Sequence, residues 1–547
     1  MTRSYASGAS SVPLLGETIG DNLDATVARF PDRDAIVSRH QGVRLTYREF
    51  GAHVDDVAER LLGLGLDIGD RVGIWAPNCV EWPLVQYATA KLGVILVNIN
   101  PAYRTHEVEY VLRQSGCRLL VAATDFKTSN YRAMVAEVRP NVAELESVLF
   151  IGSPEWEAWR RGPAGATAAE RRARQAQLDA DDPINIQYTS GTTGFPKGAT
   201  LTHHNILNNG YFTGEGCGYT EHDRVCIPVP LYHCFGMVIG NLGCTTHGAT
   251  IVYPAPGFDP AATLEAVEAE RCTSLYGVPT MFIAQLAHPD FGRFDLSSLR
   301  TGIMAGSPCP VEVMKQAISL MHMDEVTICY GMTETSPVST QTAADDTIDQ
   351  RVGSVGRVHP HVEVKIVDPD TGRCVERTVA GELCTRGYSV MRGYWNEPGK
   401  TADAIDPSGW MHTGDLATMD ADGYVNIVGR IKDMIIRGGE NVYPREIEEF
   451  LFRHPDVVDV QVIGVPDVKY GEEIMAWVRL RDGAVLLDAA AVRQFCEGRI
   501  AHYKVPRYVR VVDEFPMTIT GKIQKFKMRD EAIELLGLHE AASVTTA

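Results

Sequence analysis

Residues 188–200, YTSGTTGFPKGAT, place a run of glycines and hydroxyls before a single lysine, and the fold is predicted from this pattern. An apolar run, residues 184–188, leads into it, and a helix-like stretch follows it. We predict that Gly191, Gly194 and Gly198 take positive φ and let the backbone approach a ligand closely. Backbone amides, hydroxyls and a cation in one loop indicate a phosphate-binding site.

The side chains and amides of this loop form the first candidate site. Its predicted ligand-binding residues are Thr189, Ser190, Gly191, Thr192, Thr193, Gly194, Lys197 and Gly198. The spacing is not that of the Walker loop, which needs Gly-Lys-Ser/Thr, because Lys197 precedes its glycine and Ala199 follows. The alternative is a flexible Gly/Thr-rich linker. The single lysine, the proline before it and the flanking apolar strand favour a nucleotide-binding fold of another type.

Length and charge limit the remaining classes of protein. A chain of 547 residues is too long for one ordinary core and predicts two or more domains. A net charge of -19 argues against a nucleic-acid groove or an anionic membrane surface as partner, since both need clustered Lys and Arg. Positive potential for an anionic substrate must therefore be local.

The apolar pattern and the cysteines indicate the compartment. No window reaches eighteen predominantly apolar residues without a charge, and the N-terminus lacks the basic start and apolar core of a secretory signal. We expect no transmembrane segment and a cytoplasmic location. The twelve cysteines are scattered without a C-x-x-C pair, so they predict buried thiols rather than a zinc site or a disulfide framework.

Strand-like and helix-like patterns alternate along the first part of the chain. Residues 71–75 predict a buried strand, residues 79–92 a helix and residues 94–98 the next strand. The same alternation returns at residues 249–253 and 274–276. This βαβ order predicts parallel sheet covered by helices.

Two other regions have their own patterns. Residues 155–182 are rich in Ala, Arg and acids and predict a solvated helix that leads to the loop. After a turn and edge strand at 422–428 comes a compact α+β unit. Its predicted elements are strands at 434–436, 457–463 and 474–480, a helix opened by Pro444 and a helix from Ala489. We therefore predict a large domain, residues 1–431, and a small domain, residues 432–547.

Seven motifs in a fixed order resemble the signatures of the adenylate-forming superfamily, which includes acyl-CoA synthetases, peptide-synthetase adenylation domains and firefly-type luciferases. They are residues 188–200, 330–336 (YGMTETS), 381–387 (GELCTRG), 412–415 (HTGD), 429–433 (GRIKD), 438–448 (GGENVYPREIE) and 520–522 (TGK). Residues 230–237 (PLYHCFGM) and 390–398 (VMRGYWNEP) are most similar to medium-chain acyl-CoA synthetases of the family-member-two type.

The resemblance implies an α/β fold: a large N-terminal AMP-binding domain with parallel and mixed sheets and flanking helices, and a small mobile α+β domain. It implies ATP, Mg²⁺ and coenzyme A as cofactor and co-substrates, with a carboxylic acid as the other substrate. It is compatible with a homodimer.

The resemblance also assigns roles to single residues. The implied catalytic residues are Lys522, Lys197, Glu334 and His233, and Thr193 and Glu334 would position Mg²⁺. The implied nucleotide contacts outside the loop are Ser307, Pro308, Tyr330, Gly331, Met332, Thr333, Asp415 and Arg430. At 305–307 this chain has Ala-Gly-Ser where many relatives have Gly-Gly-Ala. Taken alone, Glu334 would more often be a solvated turn residue, and Asp415 would as readily be a turn residue after Gly414 as a ribose ligand.

Three further positions imply a two-state use of the small domain. Lys522 would be the lysine of the adenylation step, and Gly438 and Gly439 would border the pantetheine arm of CoA in the second step. Lys432 is the implied hinge. Taken alone, Lys432 and Lys522 would be surface lysines.

The acid-binding pocket is expected along residues 231–244. The implied substrate contacts are Tyr232, His233, Met237 and Gly306. We expect Gly236, Gly240 and Gly243 to remove side-chain volume from this segment and favour medium-length acids. No Asp in it would receive an amino group, which argues against an amino-acid adenylation domain, and nothing supplies a base for luciferase chemistry. His233 alone would more often be a core histidine.

Three functions remain from the sequence. The first, which we choose, is an acid:CoA ligase for medium-chain to long-chain fatty acids. The second is an acyl-AMP ligase that loads a carrier protein. The third is a catalytically inactive regulator that binds a nucleotide or an acyl group.

Overall fold

The computed structural model describes residues 3–189, 196–307, 309–437, 440–484, 487–497, 499–518 and 523–543. The chain divides into two compact units. The larger unit contains Tyr5–Val364 and Cys384–His412, and the smaller contains Met1–Ser4, Lys365–Leu383 and Thr413–Ala547. The chain passes from one unit to the other within the strands Val362–Val367, Gly381–Gly387 and Met411–Met419. The domain boundary at Lys432 stays a prediction.

The predicted βαβ unit lies in a seven-stranded sheet of the larger unit. The strand order is Gly393–Tyr394, Lys197–Thr202, Pro183–Thr189, Ile95–Asn98, Arg71–Trp75, Leu119–Ala122 and Ser147–Phe150. Strands Arg71–Trp75 and Ile95–Asn98 are parallel, with Val72 opposite Leu96. The helix between them, Glu81–Leu92, is buried from Trp82 onward, including Lys91, whose ammonium is paired with Asp24 and Asp55. The prediction of parallel sheet with covering helices is confirmed.

A nine-stranded sheet forms the second layer of the larger unit. Its order is Arg357–Val358, Val338–Gln341, Glu325–Gly331, Thr301–Ala305, Ser274–Gly277, Arg224–Cys226, Thr250–Tyr253, Asp34–Ser38 and Val43–Thr46. Strands Ser274–Gly277, Thr301–Ala305 and Glu325–Gly331 are parallel neighbours. Their carboxyl ends therefore lie at one edge of the sheet, the usual place for ligands in such folds.

Helices cover both sheets. Those of the larger unit are Ile19–Arg29, Tyr47–Gly63, Glu81–Leu92, Thr105–Ser115, Tyr131–Val138, Pro154–Arg161, Ala168–Gln175, His203–Gly216, Gly243–Thr245, Pro260–Glu270, Pro279–Leu286, Val311–Met321, Ile348–Gly353 and Pro398–Ala404. Tyr47–Gly63 begins with a capping box, in which Thr46 and Glu49 satisfy each other's backbone amides. Within the described parts of the chain, no helix is long and apolar enough to cross a bilayer.

The single helix predicted for residues 155–182 is wrong in its extent, because two short helices form there, Pro154–Arg161 and Ala168–Gln175. Most residues of the two helices are exposed or half-buried, as predicted for a solvated stretch, and each helix packs through one or two buried side chains. Trp156 is 4% exposed, and Arg171 is buried with its Nη2 atom 2.8 Å from Asp55 Oδ2. The composition of the stretch did not indicate this ion pair, because Asp55 lies far away in the sequence.

The smaller unit contains the predicted α+β arrangement. Its sheet has the order Glu440–Val442, Ile435–Arg437, Gly471–Leu480 and Val457–Asp467, with Tyr508–Val511 beside Gly471–Leu480. Its helices are Pro444–Leu451, Ala489–Cys496, Lys525–Leu536 and His539–Ser543. Pro444 opens the first helix as predicted, because proline lacks only an amide that the first turn leaves unpaired. Eleven of the twelve cysteines are buried, which confirms the prediction that their thiols lie in the interior.

Candidate active site

A strand pair holds the two ends of the glycine-rich loop together. Strand Pro183–Thr189 runs antiparallel to strand Lys197–Thr202, and Thr189 lies opposite Lys197. The Thr189 Oγ1 hydroxyl donates a hydrogen bond of 3.4 Å to the Lys197 carbonyl oxygen. The predicted loop residues Ser190, Gly191, Thr192, Thr193 and Gly194 lie outside the described residues. The lysine therefore stands where the loop returns to the sheet.

The interpretation of Gly198 as a residue with positive φ is wrong. Gly198 is buried inside the strand Lys197–Thr202, opposite Tyr188, and is not among the glycines with positive φ. A Cβ atom there would lie 2.8 Å from Cγ2 of Ile186. Glycine is needed at this position because the neighbouring strand packs closely. Its predicted contact with the nucleotide stays a prediction.

Lys197 and Glu334 contact the same tyrosine, Tyr394. The ammonium of Lys197 lies 4.6 Å from the centre of the Tyr394 ring. The Tyr394 hydroxyl donates a hydrogen bond of 2.8 Å to Oε1 of Glu334. Tyr394, to which the sequence assigned no role, thus joins Lys197, which was assigned to phosphate, and Glu334, which was assigned to Mg²⁺. The only signal for Tyr394 was its position inside the motif at 390–398.

The carboxylate of Glu334 fits a hard cation. It lies in the short 3₁₀ helix Thr333–Thr335, which follows strand Glu325–Gly331, and the residue is only 5% exposed. The Glu334 carbonyl oxygen accepts a hydrogen bond of 2.8 Å from the Met391 amide, which fixes the turn. Mg²⁺ is usually bound by one or two carboxylates together with substrate phosphates. The oxygen donor at Glu334 fits that pattern; Thr193 lies outside the described residues.

The predicted nucleotide contacts of the larger unit lie at the ends of two parallel strands. Gly306 and Ser307 follow strand Thr301–Ala305, and Tyr330 and Gly331 end the neighbouring strand, in which Cys329 is opposite Ala305. Gly306 has φ +92°, and a Cβ atom at Gly331 would collide with the Pro337 carbonyl oxygen. Glycine is therefore required at both strand ends.

Three other predicted nucleotide contacts surround these strand ends in the sequence. Met332 and Thr333 follow directly and are half-buried, with the Met332 amide donating to Thr335 Oγ1 at 3.0 Å. Pro308 lies outside the described residues. The structure brings Ser307, Tyr330 and Gly331 to one edge of the sheet, as the strand order requires.

The predicted acid-binding segment forms a π-helix. This helix, Phe235–Leu242, is buried along its whole length. Helices of this type are rare and occur frequently at functional sites. A Cβ atom at Gly236 would collide with the Pro230 carbonyl oxygen, and one at Gly240 would lie 2.9 Å from Cδ1 of Ile227. The expectation that Gly236 and Gly240 open volume for an acid is therefore wrong, because these glycines allow close backbone packing.

Met237 is tied to the strand that leads into the glycine-rich loop. Gln187 in that strand donates from Nε2 to Sδ of Met237 at 3.2 Å and accepts from the Cys234 thiol at Oε1 at 2.9 Å. Burial raises the pKa of the Cys234 thiol to about 12, so it remains a neutral donor at neutral pH. Met237 itself is 1% exposed. No pattern in the sequence indicated that Gln187 links the two segments.

The two other predicted acid contacts of this segment, Tyr232 and His233, are half-buried. His233 accepts a hydrogen bond of 3.1 Å at Nδ1 from the Phe235 amide, so the neutral ring carries its proton on Nε2. The Tyr232 carbonyl oxygen accepts from Asn98 Nδ2 at 3.0 Å. These bonds fix the turn that precedes the π-helix. The roles of Tyr232 and His233 in acid binding stay predictions.

The smaller unit places two predicted nucleotide contacts side by side. Asp415 and Arg430 lie opposite each other in antiparallel strands, and Arg430 Nε is 3.2 Å from Asp415 Oδ1. Lys432 is exposed in the short 3₁₀ helix Ile431–Asp433 that follows. Gly438, Gly439 and Lys522 lie outside the described residues.

Parallel strands with candidate ligand groups at their carboxyl ends, beside a glycine-rich loop that returns on a lysine, define a nucleotide-binding α/β protein. The model of the AMP-binding enzyme family matches residues 23–395, and that of the AMP-binding enzyme C-terminal domain matches residues 446–522. The chain belongs to the AMP-binding enzyme family.

Known proteins are similar to this chain over nearly its whole length. YngI of Bacillus subtilis (strain 168), named as an acyl-CoA synthetase, is 49% identical over 544 residues, 96% of this chain and 99% of YngI. The mitochondrial medium-chain acyl-CoA ligase ACSF2 of Danio rerio is 46% identical over 558 residues, 98% of this chain and 92% of ACSF2. ATP-bound MatB from Rhodopseudomonas palustris matches with a TM-score of 0.84 and 30% identity, over 94% of this chain and 99% of MatB. The predicted resemblance is confirmed.

Proposed function

We propose that this protein is an ATP-dependent carboxylic acid:CoA ligase that acts on medium-chain fatty acids. The observation that carries the proposal is the placement of Lys197 and Glu334 on one tyrosine beside the returning end of the glycine-rich loop. The names of YngI and ACSF2 support the acyl-CoA product, and the name of ACSF2 supports the medium chain length.

The reaction follows from what a carboxylate lacks. A carboxylate is anionic and has no good leaving group, so a thiol cannot displace its oxygen directly. In the first step a carboxylate oxygen bonds to the α-phosphorus of ATP, the bond to the β-phosphate oxygen breaks, and pyrophosphate leaves. In the second step the CoA thiol loses its proton, its sulfur bonds to the acyl carbon, and AMP leaves with the former carboxylate oxygen.

The first step brings two anions together, and cations of this chain lower that cost. Two unit charges 4 Å apart interact by about 1 kcal/mol in water and by about 4 kcal/mol at an effective dielectric of 20. Lys197 would face the departing phosphates, with the amides of the loop. Glu334 and Thr193 would hold Mg²⁺, which when bound supplies positive charge to the triphosphate.

Other residues would hold the nucleoside. The strand ends at Ser307 and Gly331 present backbone groups to adenine, together with Tyr330. Asp415 would accept both ribose hydroxyls, because a carboxylate can accept two bonds at once, and Arg430 keeps this carboxylate oriented. The ATP-bound state of MatB supports ATP as the nucleotide.

The smaller unit would serve the two steps in two orientations. Lys522 would contact the reacting oxygens in the first step and withdraw for the second. Gly438 and Gly439 would then border the pantetheine arm, where a bare backbone leaves room. Lys432 would be the hinge.

The hinge is tested by proline at Lys432. Lys432→Pro should leave acyl-adenylate formation in place and reduce overall thioester synthesis to a small fraction, because proline fixes φ and disfavours the helical conformation of Ile431 before it. The measurement compares pyrophosphate exchange with thioester formation. Lys432→Ala is the control and should retain turnover. Wild-type turnover in the proline variant would place the hinge elsewhere.

Chain length is tested at Met237. Each buried methylene contributes about 0.8 kcal/mol, so kcat/KM should rise about fourfold per carbon until the pocket ends. Met237→Ala should move the optimum to longer acids and Met237→Trp to shorter ones, measured as kcat/KM for straight acids of graded length. Met237→Leu, which conserves volume, is the control. An unchanged profile in both the Ala and Trp variants, or acetate as the best acid, would contradict the pocket assignment.

The proposed activity is tested by AMP release from ATP with graded alkyl acids and aryl acids, in the presence and absence of CoA. A CoA-dependent release with medium straight acids supports the ligase. Adenylation without CoA turnover supports the carrier-loading alternative, and no pyrophosphate exchange with any acid supports the inactive regulator.

The homodimer and the cytoplasmic location remain predictions from the sequence.

A further inference from the structure

Tyr394 contacts two opposite charges through two different parts of one side chain. The face of its ring meets the ammonium of Lys197, and its hydroxyl meets the carboxylate of Glu334. The residue is 6% exposed. A ring face attracts a cation through its quadrupole, and a phenol donates to an anion, so both contacts are favourable.

The backbone fixes Tyr394 in this place. It lies in strand Gly393–Tyr394, where it pairs with Ala199, two residues after Lys197. Its amide donates a hydrogen bond of 2.9 Å to Thr401 Oγ1. Gly393 has φ +145°, and a Cβ atom there would lie 2.8 Å from Cγ2 of Thr401. The ring position is therefore set by the sheet.

Glu334 is held from the same side. The Met391 amide donates to the Glu334 carbonyl oxygen at 2.8 Å, and Ser336 Oγ donates to the Ser389 carbonyl oxygen at 2.6 Å. The segment that carries Tyr394 thus also anchors the turn that carries the carboxylate. The tyrosine and Glu334 keep their relative positions without help from a ligand.

The Tyr394 hydroxyl is the donor in this contact, because a carboxylate oxygen only accepts, and it points its proton at Oε1 of Glu334. A carboxylate with one oxygen fixed in this way presents the other in a defined direction.

We propose that Tyr394 is a positioning residue that keeps Lys197 and Glu334 from pairing with each other. Without the side chain that both residues contact, the ammonium of Lys197 could pair directly with the carboxylate of Glu334, and each would then be lost to its ligand. With the ring present, the ammonium stays available to phosphate and the carboxylate to a divalent cation. The inference rests on the proposed function.

Two substitutions separate the two contacts. Tyr394→Phe removes the hydroxyl and keeps the ring, whereas Tyr394→Leu removes both. ATP binding is measured at equilibrium without acid or CoA, once with EDTA and once with MgCl₂. Tyr47→Phe is the matched control, because it also removes a buried tyrosine hydroxyl, which donates to the Ala249 carbonyl oxygen at 2.7 Å.

The expected results differ between the variants. In EDTA, Tyr394→Phe should bind ATP with the affinity of the wild type. The increase in ATP affinity on adding MgCl₂ should be about tenfold smaller than in the wild type, since a hydrogen bond to a charged group is worth a factor of this order. Tyr394→Leu should also lose about tenfold in EDTA, because Lys197 can then pair with Glu334. Tyr47→Phe should change neither affinity.

Three outcomes would overturn the inference. The first is an increase in ATP affinity with MgCl₂ in Tyr394→Phe that equals that of the wild type. The second is an unchanged ATP affinity in Tyr394→Leu. The third is an equal loss of ATP affinity in both variants, with EDTA and with MgCl₂, together with a lower Tm. The last would indicate a structural role alone. Absence of ATP binding by the wild-type protein would instead contradict the proposed function, so the two failures are distinguishable.

Discussion

Lys522→Ala is expected to lower acyl-adenylate formation by about 10² to 10³, the usual cost of removing one preorganised contact to a transition state. Lys522 would neutralise charge on the reacting oxygens only in the first step. The variant should therefore still convert supplied acyl-adenylate to thioester. The two half-reactions are measured separately, as pyrophosphate exchange and as thioester formed from synthetic acyl-adenylate and CoA.

The control for this prediction lies five residues further along the chain. Lys527 is exposed and its ammonium lies 6.0 Å from the centre of the Phe526 ring, so Lys527→Ala removes a similar charge from the surface. It should leave both half-reactions unchanged. Equal loss of both steps in Lys522→Ala would show that the lysine is structural or that the smaller unit does not alternate.

Gly439→Leu should have the opposite effect on the two half-reactions. A leucine side chain would stand where the pantetheine arm must pass, so thioester formation should fall by about 10² or more while pyrophosphate exchange persists, since small misplacements at a reacting centre cost factors of this size. The measurement is the same pair of half-reactions. Normal CoA turnover in the variant would remove the proposed path.

The residue before the glycine pair is held in place by other contacts, so the effect of a substitution at Gly439 should stay local. Arg437 precedes the glycine pair and makes two hydrogen bonds, of 2.8 and 2.9 Å, to Glu473, which is 1% exposed. Arg437 is also paired with Glu440 across the two strands. The flanks are therefore anchored against a local disturbance. Gly399→Leu is the control, because a Cβ atom there meets nothing within 4 Å.

Elements with a strong local period could be predicted from the sequence. The strand predicted at 71–75 is observed at the same residues, and the helix predicted at 79–92 begins two residues later, at Glu81. Such elements can be predicted because a strand or helix that is buried on all sides needs a largely apolar run of residues. The helix opened by Pro444 was predictable for a local reason too, the missing amide of proline.

Features that depend on distant contacts could not be predicted. The hydrogen bond between Tyr394 and Glu334 joins residues sixty positions apart, and no local pattern encodes it. The π-helix Phe235–Leu242 has an i to i+5 bonding pattern that no apolar period marks. The roles of Gly236 and Gly240 were misjudged because the turn that brings Pro230 and Ile227 against them has no repeating pattern in the sequence.

The strand pairing between Thr189 and Lys197 also bears on the entropy of nucleotide binding. Closing a flexible loop of n residues costs about (3/2)RT ln n plus a constant. Here the ends are brought together by the sheet when the protein folds, so that closure cost belongs to folding and not to association with ATP. If this loop binds the nucleotide as proposed, ATP does not have to bring the two strand ends together, and its affinity would be higher by that difference.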